Sequence, residues 1–246
     1  MNVHIHQFTS GGIVLDAAAL EQFQQQWNTY QKLVDADCLS HREVAALVHD
    51  TLTGRFPAPF TFLDIACGDA SMMRTALRGT KVRHYHGIDL SQPALELAAA
   101  NLVDMPFEVD LDHRDFVEGM MRRPERADAA WCGLSIHHLS TDEKLRLMTA
   151  IRGAVGPKGV FLLYEPTRHD GEDRDAFLAR FREASKRLWT VLSPEEWNQV
   201  WHHIETCDFP ETVTGWRELG RKAGFARAES EFVDPSDFFH LFHYSM

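Results

Sequence analysis

The chain is 246 residues long, enough for one sizeable α/β core with an added subdomain. Hydrophobic residues make up 44% and charged residues 25%, the balance of a folded rather than a disordered chain. A net charge of −11, from 25 Lys and Arg against 36 Asp and Glu, argues against a phosphate-tracking surface and hence against a nucleic-acid substrate.

No stretch approaches the roughly 18 consecutive apolar residues of a membrane-spanning helix, so no membrane partner is expected. Met1 to Gly11 lacks the basic-then-apolar pattern of a secretory leader. Cys38, Cys67, Cys132 and Cys207 lie far apart, with no CxxC pair. Reduced thiols and a cytoplasmic location are the matching expectation.

Along the chain, Leu20, Phe23, Trp27, Tyr30 and Val34 recur at helical spacing and predict a first helix with one apolar stripe. A second helix is expected from Ser40, where Ser40 and Glu43 have capping-box spacing, with Val44, Leu47, Val48 and Leu52 on its buried face. Pro57 and Pro59 then precede a strand–helix alternation. Strands are predicted at Phe60 to Ala66, Val82 to Ile88, Phe107 to Leu111, Ala127 to Gly133 and Gly159 to Tyr164. The helices between them are predicted near Ala70 to Leu77, Gln92 to Leu102, Phe116 to Met121 and Asp142 to Val155, the last opened by Ser140 and Glu143.

Beyond the fifth strand the rhythm breaks. Phe177, Phe181 and Leu188 mark one amphipathic helix, and Trp197, Val200, Trp201 and Ile204 mark another, begun by Ser193-Pro194 with Glu196 three residues on. These aromatic stripes suit core packing, a lid over a pocket, or the face of a homodimer. A helix over Val213 to Ala223 ends at Gly224, and strands around Phe225 to Val233 and Phe238 to Tyr244 are joined so closely that they must form an antiparallel hairpin. The expected fold is therefore α/β: a doubly wound, seven-stranded, mostly parallel sheet with an antiparallel terminal hairpin, N-terminal helices and a helical insertion after the fifth strand.

Chemistry concentrates at the predicted strand ends. In Phe62-Leu63-Asp64-Ile65-Ala66-Cys67-Gly68-Asp69-Ala70-Ser71 a buried strand ends in an acid, and a turn of small residues opens a helix. Small residues let backbone approach a ligand, and the helix N-terminus supplies amide donors. In His86-Gly87-Ile88-Asp89-Leu90-Ser91 an acid closes the second strand, where a carboxylate can accept both hydroxyls of a ribose. The pair describes an adenosine site. A dinucleotide dehydrogenase would use G-x-G-x-x-G to seat a pyrophosphate. Here Gly68 is the only glycine of the turn, and Asp64 suits the ammonium of an amino acid instead. That favours S-adenosylmethionine (SAM) over NAD.

The stretch from about Phe60 to Tyr164 resembles the class I SAM-dependent methyltransferases, and the terminal hairpin fits their antiparallel strand. The resemblance implies that Asp64, Ala66, Gly68 and Ala70, on that family's D/E-x-G-x-G-x-G turn, hold the methionine moiety. It implies that Asp89 binds ribose with Leu90 beside it, that Asp115 meets the adenine amino group with Phe116 next to the ring, and that Gly133 and Leu134 lie near the sulfonium. Alanines stand at Ala66 and Ala70, where the family has glycines. Residues 1–246 then form one methyltransferase domain: an N-terminal helical segment (1–56), a SAM-binding core (57–165), a helical lid insertion (166–210) and a C-terminal helix and hairpin (211–246). The implied reaction moves a methyl group to an oxygen or nitrogen of a small-molecule metabolite, leaving S-adenosylhomocysteine. A SAM- or adenosine-binding module without catalysis and an NAD-dependent oxidoreductase are the alternative readings.

His137 and His138 follow the fourth strand and are the candidate catalytic bases, since a neutral imidazole can take the proton of a hydroxyl or amine acceptor. Tyr30, Glu165 and Arg168 are candidate substrate contacts, Glu165 for an amine and Arg168 for a carboxylate held in a bidentate fork. No third ligand lies at helical or hairpin spacing from the histidine pair, so no metal is expected.

Overall fold

The computed structural model describes residues 3–7, 27–122 and 126–246. An eight-stranded sheet runs in the order β1-β4-β3-β2-β5-β6-β8-β7. Its strands are β1 (Val3–Gln7), β2 (Phe60–Ile65), β3 (Val82–Asp89), β4 (Glu108–His113), β5 (Ala127–Gly133), β6 (Val155–Pro166), β7 (Arg227–Val233) and β8 (Phe239–Ser245). β1 to β6 pair in parallel, and β8 runs antiparallel between β6 and β7. The terminal hairpin is thus as expected.

The strand count is not. β1 adds an eighth strand to the edge of β4, pairing Val3 with Val109 and Gln7 with His113. The expected N-terminal segment is therefore not helical throughout. Apolar Val3 and Ile5 alternating with His4 and His6 carry the period of a strand, and pairing there gives the open amides and carbonyls of β4 their partners. Leu20 and Phe23 lie outside the described residues.

Helices cover both faces of the sheet. They are α1 (described over 27–35), α2 (His41–Arg55), α3 (Ser71–Leu77), α4 (Gln92–Leu102), α5 (Phe116–Met121), α6 (Thr141–Ala154), α7 (Arg174–Leu188), α8 (Pro194–Cys207) and α9 (Val213–Lys222). Alternate residues of the central strands feed two cores. Phe62, Tyr85 and Trp131 pack with α2, α3, α4, α7 and α8, whereas Leu63, Ile65, Ile88 and Cys132 pack with α6 and α9. β2, β5 and β6 are largely apolar on both sides because both of their faces are covered.

Local chemistry starts these helices. Ser140 and Ser193 form the expected capping boxes with Glu143 and Glu196, and Ser91, Asp115, Asp173 and Thr212 each accept an amide of their first turn. Such a cap contributes about 1 kcal/mol. The box expected at Ser40 does not form. Ser40 is left-handed, with φ 52°, and its side chain caps nothing, while Asp37 Oδ1 accepts the Arg42 amide at 3.1 Å.

The aromatic stripes of α7 and α8 turn inward. Phe181 packs on Phe238 and Phe239, and Trp197 stacks on Trp201 with centroids 5.7 Å apart. Lys144 of α6 is fully buried and joins Glu211 at 2.9 Å and the Phe209 carbonyl, fastening the α8–α9 connection to the body of the fold. Among the described residues, no helix is long and apolar enough to cross a membrane.

Candidate functional site

A cavity of about 340 Å³ opens at the carboxyl ends of β2, β3 and β5. Open parallel sheets bind ligands at this edge, because the helix N-termini and the turns into them converge there. One wall is the turn after β2. Ala66, Gly68 and Ala70 all line the cavity and all sit in the left-handed region, with φ of 56°, 54° and 55°. The two alanines thus occupy backbone conformations that favour glycine, at a cost on the order of 1–2 kcal/mol each.

Asp64 ends β2 beneath this turn and is 1% exposed. Its Oδ2 accepts the Tyr85 hydroxyl at 2.5 Å, and its Oδ1, on the cavity side, has no hydrogen-bond partner. Burial, above all, pushes its carboxyl up to about 8; the Tyr85 hydrogen bond opposes this, and Asp89 and Asp69 add to it. Asp89 closes β3 with both oxygens in use: Oδ2 accepts the Gly68 amide and Oδ1 the Ser91 amide, each at 2.8 Å. Burial raises its carboxyl too, against the pull of those amides.

The opposite wall combines Trp131, Gly133, Leu134 and Ser135 from β5 and the turn after it. A Cβ on Gly133 would lie 2.8 Å from the Trp131 ring, so only glycine keeps that wall open. Leu134 is a further left-handed residue, with φ 53°. The predicted cofactor residues Asp64, Ala66, Gly68, Ala70, Asp89, Gly133 and Leu134 are therefore gathered around one cavity.

Three others are not. Asp115 caps α5 by accepting the Glu118 amide at 2.9 Å, Phe116 packs against the core under α6, and Leu90 is 65% exposed. None of the three lines the cavity.

The roof comes from α1 and the start of α2. Trp27, Tyr30, Val34 and His41 line it, so the described part of the apolar stripe predicted for the first helix faces the cavity. Burial and, second, Asp69 push the Tyr30 hydroxyl well above its usual range. Lys32 pairs with Glu196 at 2.6 Å and braces α1 against α8.

His41 was not singled out in the sequence, where it is simply the residue after Ser40. It is 9% exposed, and its Nδ1 has no hydrogen-bond partner. Burial lowers its imidazole to about 4, although Asp37 and Asp69 oppose this, so the ring is neutral at ordinary pH.

Of the residues predicted for catalysis and substrate binding, Tyr30 lines the cavity, and the others have other partners. Glu165 is fully buried; one oxygen accepts the Ser135 and Ile136 amides at 3.0 and 2.8 Å, and the other meets His137 Nδ1 at 2.5 Å. His137, 4% exposed, also lies 3.5 Å from Asp208. His138 sits beside Cys207 and Asp208 and does not line the cavity. Arg168 donates to the carbonyls of Pro210 and Glu172, both at 2.7 Å. Glu165, Arg168, His137 and His138 thus hold loop groups and do not line the cavity.

Residues 62–159 match the family model of a methyltransferase domain. No curated protein matches the sequence. Among solved structures, an O-methyltransferase family protein from Burkholderia thailandensis superimposes with a TM-score of 0.63 at 16% identity, over 94% of this chain and 60% of that one. An O-methyltransferase family 2 protein from Planctomyces limnophilus DSM 3776, in complex with apigenin, gives 0.62 at 14% identity, over 94% and 66%. CalO1, a methyltransferase in calicheamicin biosynthesis in its SAH-bound form, gives 0.57 at 15% identity, over 94% and 58%. At such identities the likeness is one of fold. The chain spans between about half and two thirds of the length of these and similar structures.

Proposed function

We propose that the protein is a SAM-dependent methyltransferase that methylates an oxygen or nitrogen of a small-molecule metabolite, in the cytoplasm, where its four free cysteines would stay reduced. One observation carries this reading: the unpartnered, buried Asp64 Oδ1 at the floor of a cavity walled by the left-handed turn of Ala66, Gly68 and Ala70. A buried carboxylate oxygen without a donor is costly unless a ligand supplies one. An ammonium group does so, whereas a pyrophosphate would meet like charge. The donor set therefore fits SAM.

When bound, SAM supplies a methyl group made electrophilic by its sulfonium. The chain's own residues do the rest. Asp64 and the amides of the turn fix the amino-acid end, and Asp89, which has lone pairs beyond those given to Gly68 and Ser91, accepts the ribose hydroxyls. Trp27 and Tyr30 roof the cavity and exclude water. His41, a neutral imidazole lining the roof, takes the place of His137 and His138 as the candidate acceptor of the substrate's proton. Alignment of the acceptor with the methyl group contributes much of the rate in displacements of this kind. Two of the similar structures are O-methyltransferase family proteins, one of them with apigenin bound, which lends weight to a hydroxyl acceptor.

The test combines calorimetry of S-adenosylhomocysteine binding with turnover of labelled SAM against a metabolite mixture. Absence of binding by the purified full chain would refute the cofactor assignment. Binding without turnover on any acceptor would leave a non-catalytic adenosine-binding module in its place.

A further inference from the structure

The histidine pair that the cavity does not use has a different geometry of its own. The turn over Ile136–His138 sets the two rings 4.0 Å apart at 52°. Asp208, which follows α8, directs Oδ1 between them, 3.5 Å from His137 Nε2 and 3.3 Å from His138 Nδ1. Neither approach has hydrogen-bond geometry, and this oxygen, on a residue 5% exposed, has no hydrogen-bond partner. The three donor atoms all lie within 4.8 Å of one another.

Glu165 fixes the orientation. Its contact with His137 Nδ1 calls for a proton there, so that a neutral ring would carry its lone pair on Nε2, the nitrogen nearer Asp208. A carboxylate behind a histidine in this way is the usual support of a metal-bound imidazole. The spacing is informative as well. Tetrahedral coordination at about 2.0–2.1 Å keeps donors about 3.3–3.4 Å apart, whereas octahedral coordination at the same bond length brings neighbours to roughly 2.9 Å. The two separations from Asp208 Oδ1, 3.3 and 3.5 Å, are close to the tetrahedral spacing.

We propose that His137, His138 and Asp208 form a binding site for a divalent transition cation of the zinc type, with Glu165 holding His137 in register. Two imidazoles and a carboxylate match that cation's preferences. The half-exposed edge of His138, 37% accessible, gives it an entry path and leaves the fourth position to solvent. On binding, His138 Nδ1 exchanges its 3.2 Å contact with the Cys207 carbonyl for the cation. The cation would join the turn after β5, whose Leu134 and Ser135 wall the cavity, to the end of the helical insertion. Its role is that of a clasp, independent of the cofactor reading.

The rival arrangement has no metal. There His137 is an imidazolium between two carboxylates: burial opposes the charge, but Glu165 and Asp208 outweigh it and raise the ring to about 9. The experiment takes the full chain, strips it with chelator, and titrates it with Zn²⁺ and with Co²⁺ by calorimetry and visible spectroscopy. The expected result is one equivalent bound, with the absorption of tetrahedral Co²⁺, and a melting temperature raised by Zn²⁺. His138→Ala, at the exposed edge, and Asp208→Asn should weaken binding at least tenfold while circular dichroism stays native. Three results would overturn the site: no stoichiometric binding, equal binding in wild type and His138→Ala, or a His137 ring that nitrogen NMR shows doubly protonated whether or not Zn²⁺ is present.

Discussion

Asp89 Oδ2 accepts the Gly68 amide at 2.8 Å, so the acid at the end of β3 holds the turn at the end of β2. One side chain thus shapes the cradle and, in the proposed complex, also meets the ribose. Asp89→Ala should lower S-adenosylhomocysteine affinity roughly tenfold to a hundredfold, from about 1.5–3 kcal/mol of hydrogen bonding to a charged group. It should lower the melting temperature as well, because Gly68 and Ser91 lose their acceptor. Calorimetry and thermal unfolding read the two effects separately. Unchanged affinity would end the ribose assignment.

Asp64 makes the same binding pH-dependent. Its carboxyl, raised to about 8, is mostly protonated in the free protein at neutral pH. An ammonium partner favours the ionised form, so binding expels a proton. Affinity should climb about tenfold per pH unit below 8 and level off above it. In Asp64→Asn the slope should vanish along with most of the affinity. A flat profile in the wild type would show that no charge forms at Asp64 on binding.

The folded state has the matching dependence, with the sign opposite to the usual carboxylate. Asp64 holds its proton more tightly folded than unfolded. It therefore stabilises the fold most below its unfolded value near 3.8, and this contribution declines as pH rises from there through about 8. Asp64→Asn should flatten that part of a stability-versus-pH curve; an unaltered curve would contradict the burial argument.

The histidines separate chemistry from support. His41→Gln should cut turnover by about 10²–10⁴-fold with the melting temperature nearly unchanged, the mark of a lost proton acceptor. His137→Gln should instead destabilise by about 1–3 kcal/mol, because the buried Glu165, which keeps the Ser135 and Ile136 amides, loses its ring partner. If His41→Gln turns over normally, alignment alone carries the reaction.

Ala66→Gly tests the strain in the turn. With φ at 56°, glycine removes a Cβ penalty and should raise stability by about 1 kcal/mol, or roughly 2–4 °C. A fall in melting temperature would mean that the Ala66 methyl packs better than its backbone suggests.

Much of this layout was legible in the sequence, for a physical reason. The central strands are apolar runs bounded by turn residues, and acids at their ends have few structural uses. Asp64, Gly68, Asp89 and Gly133 could therefore be placed on one edge before any coordinates. β1 was missed because a five-residue strand with two histidines has almost no apolar signal. The catalytic histidines were misplaced because position after β5 says nothing of side-chain direction, and Glu165 and Asp208, 28 and 71 residues beyond His137, claim that ring. His41 gave no signal: its burial depends on α1 folding over the strand ends, a long-range event without local periodicity.

The cavity is assembled from two stretches of chain that do not interleave. Floor and walls lie between Asp64 and Ser135, with Tyr164 further along, whereas the roof, among the described residues, lies within residues 27–41. A lineage could therefore exchange its roof without rewriting its floor. If the proposed function holds, recombination upstream of β2 would carry acceptor preference as a cassette and leave the grip on the methyl donor unchanged.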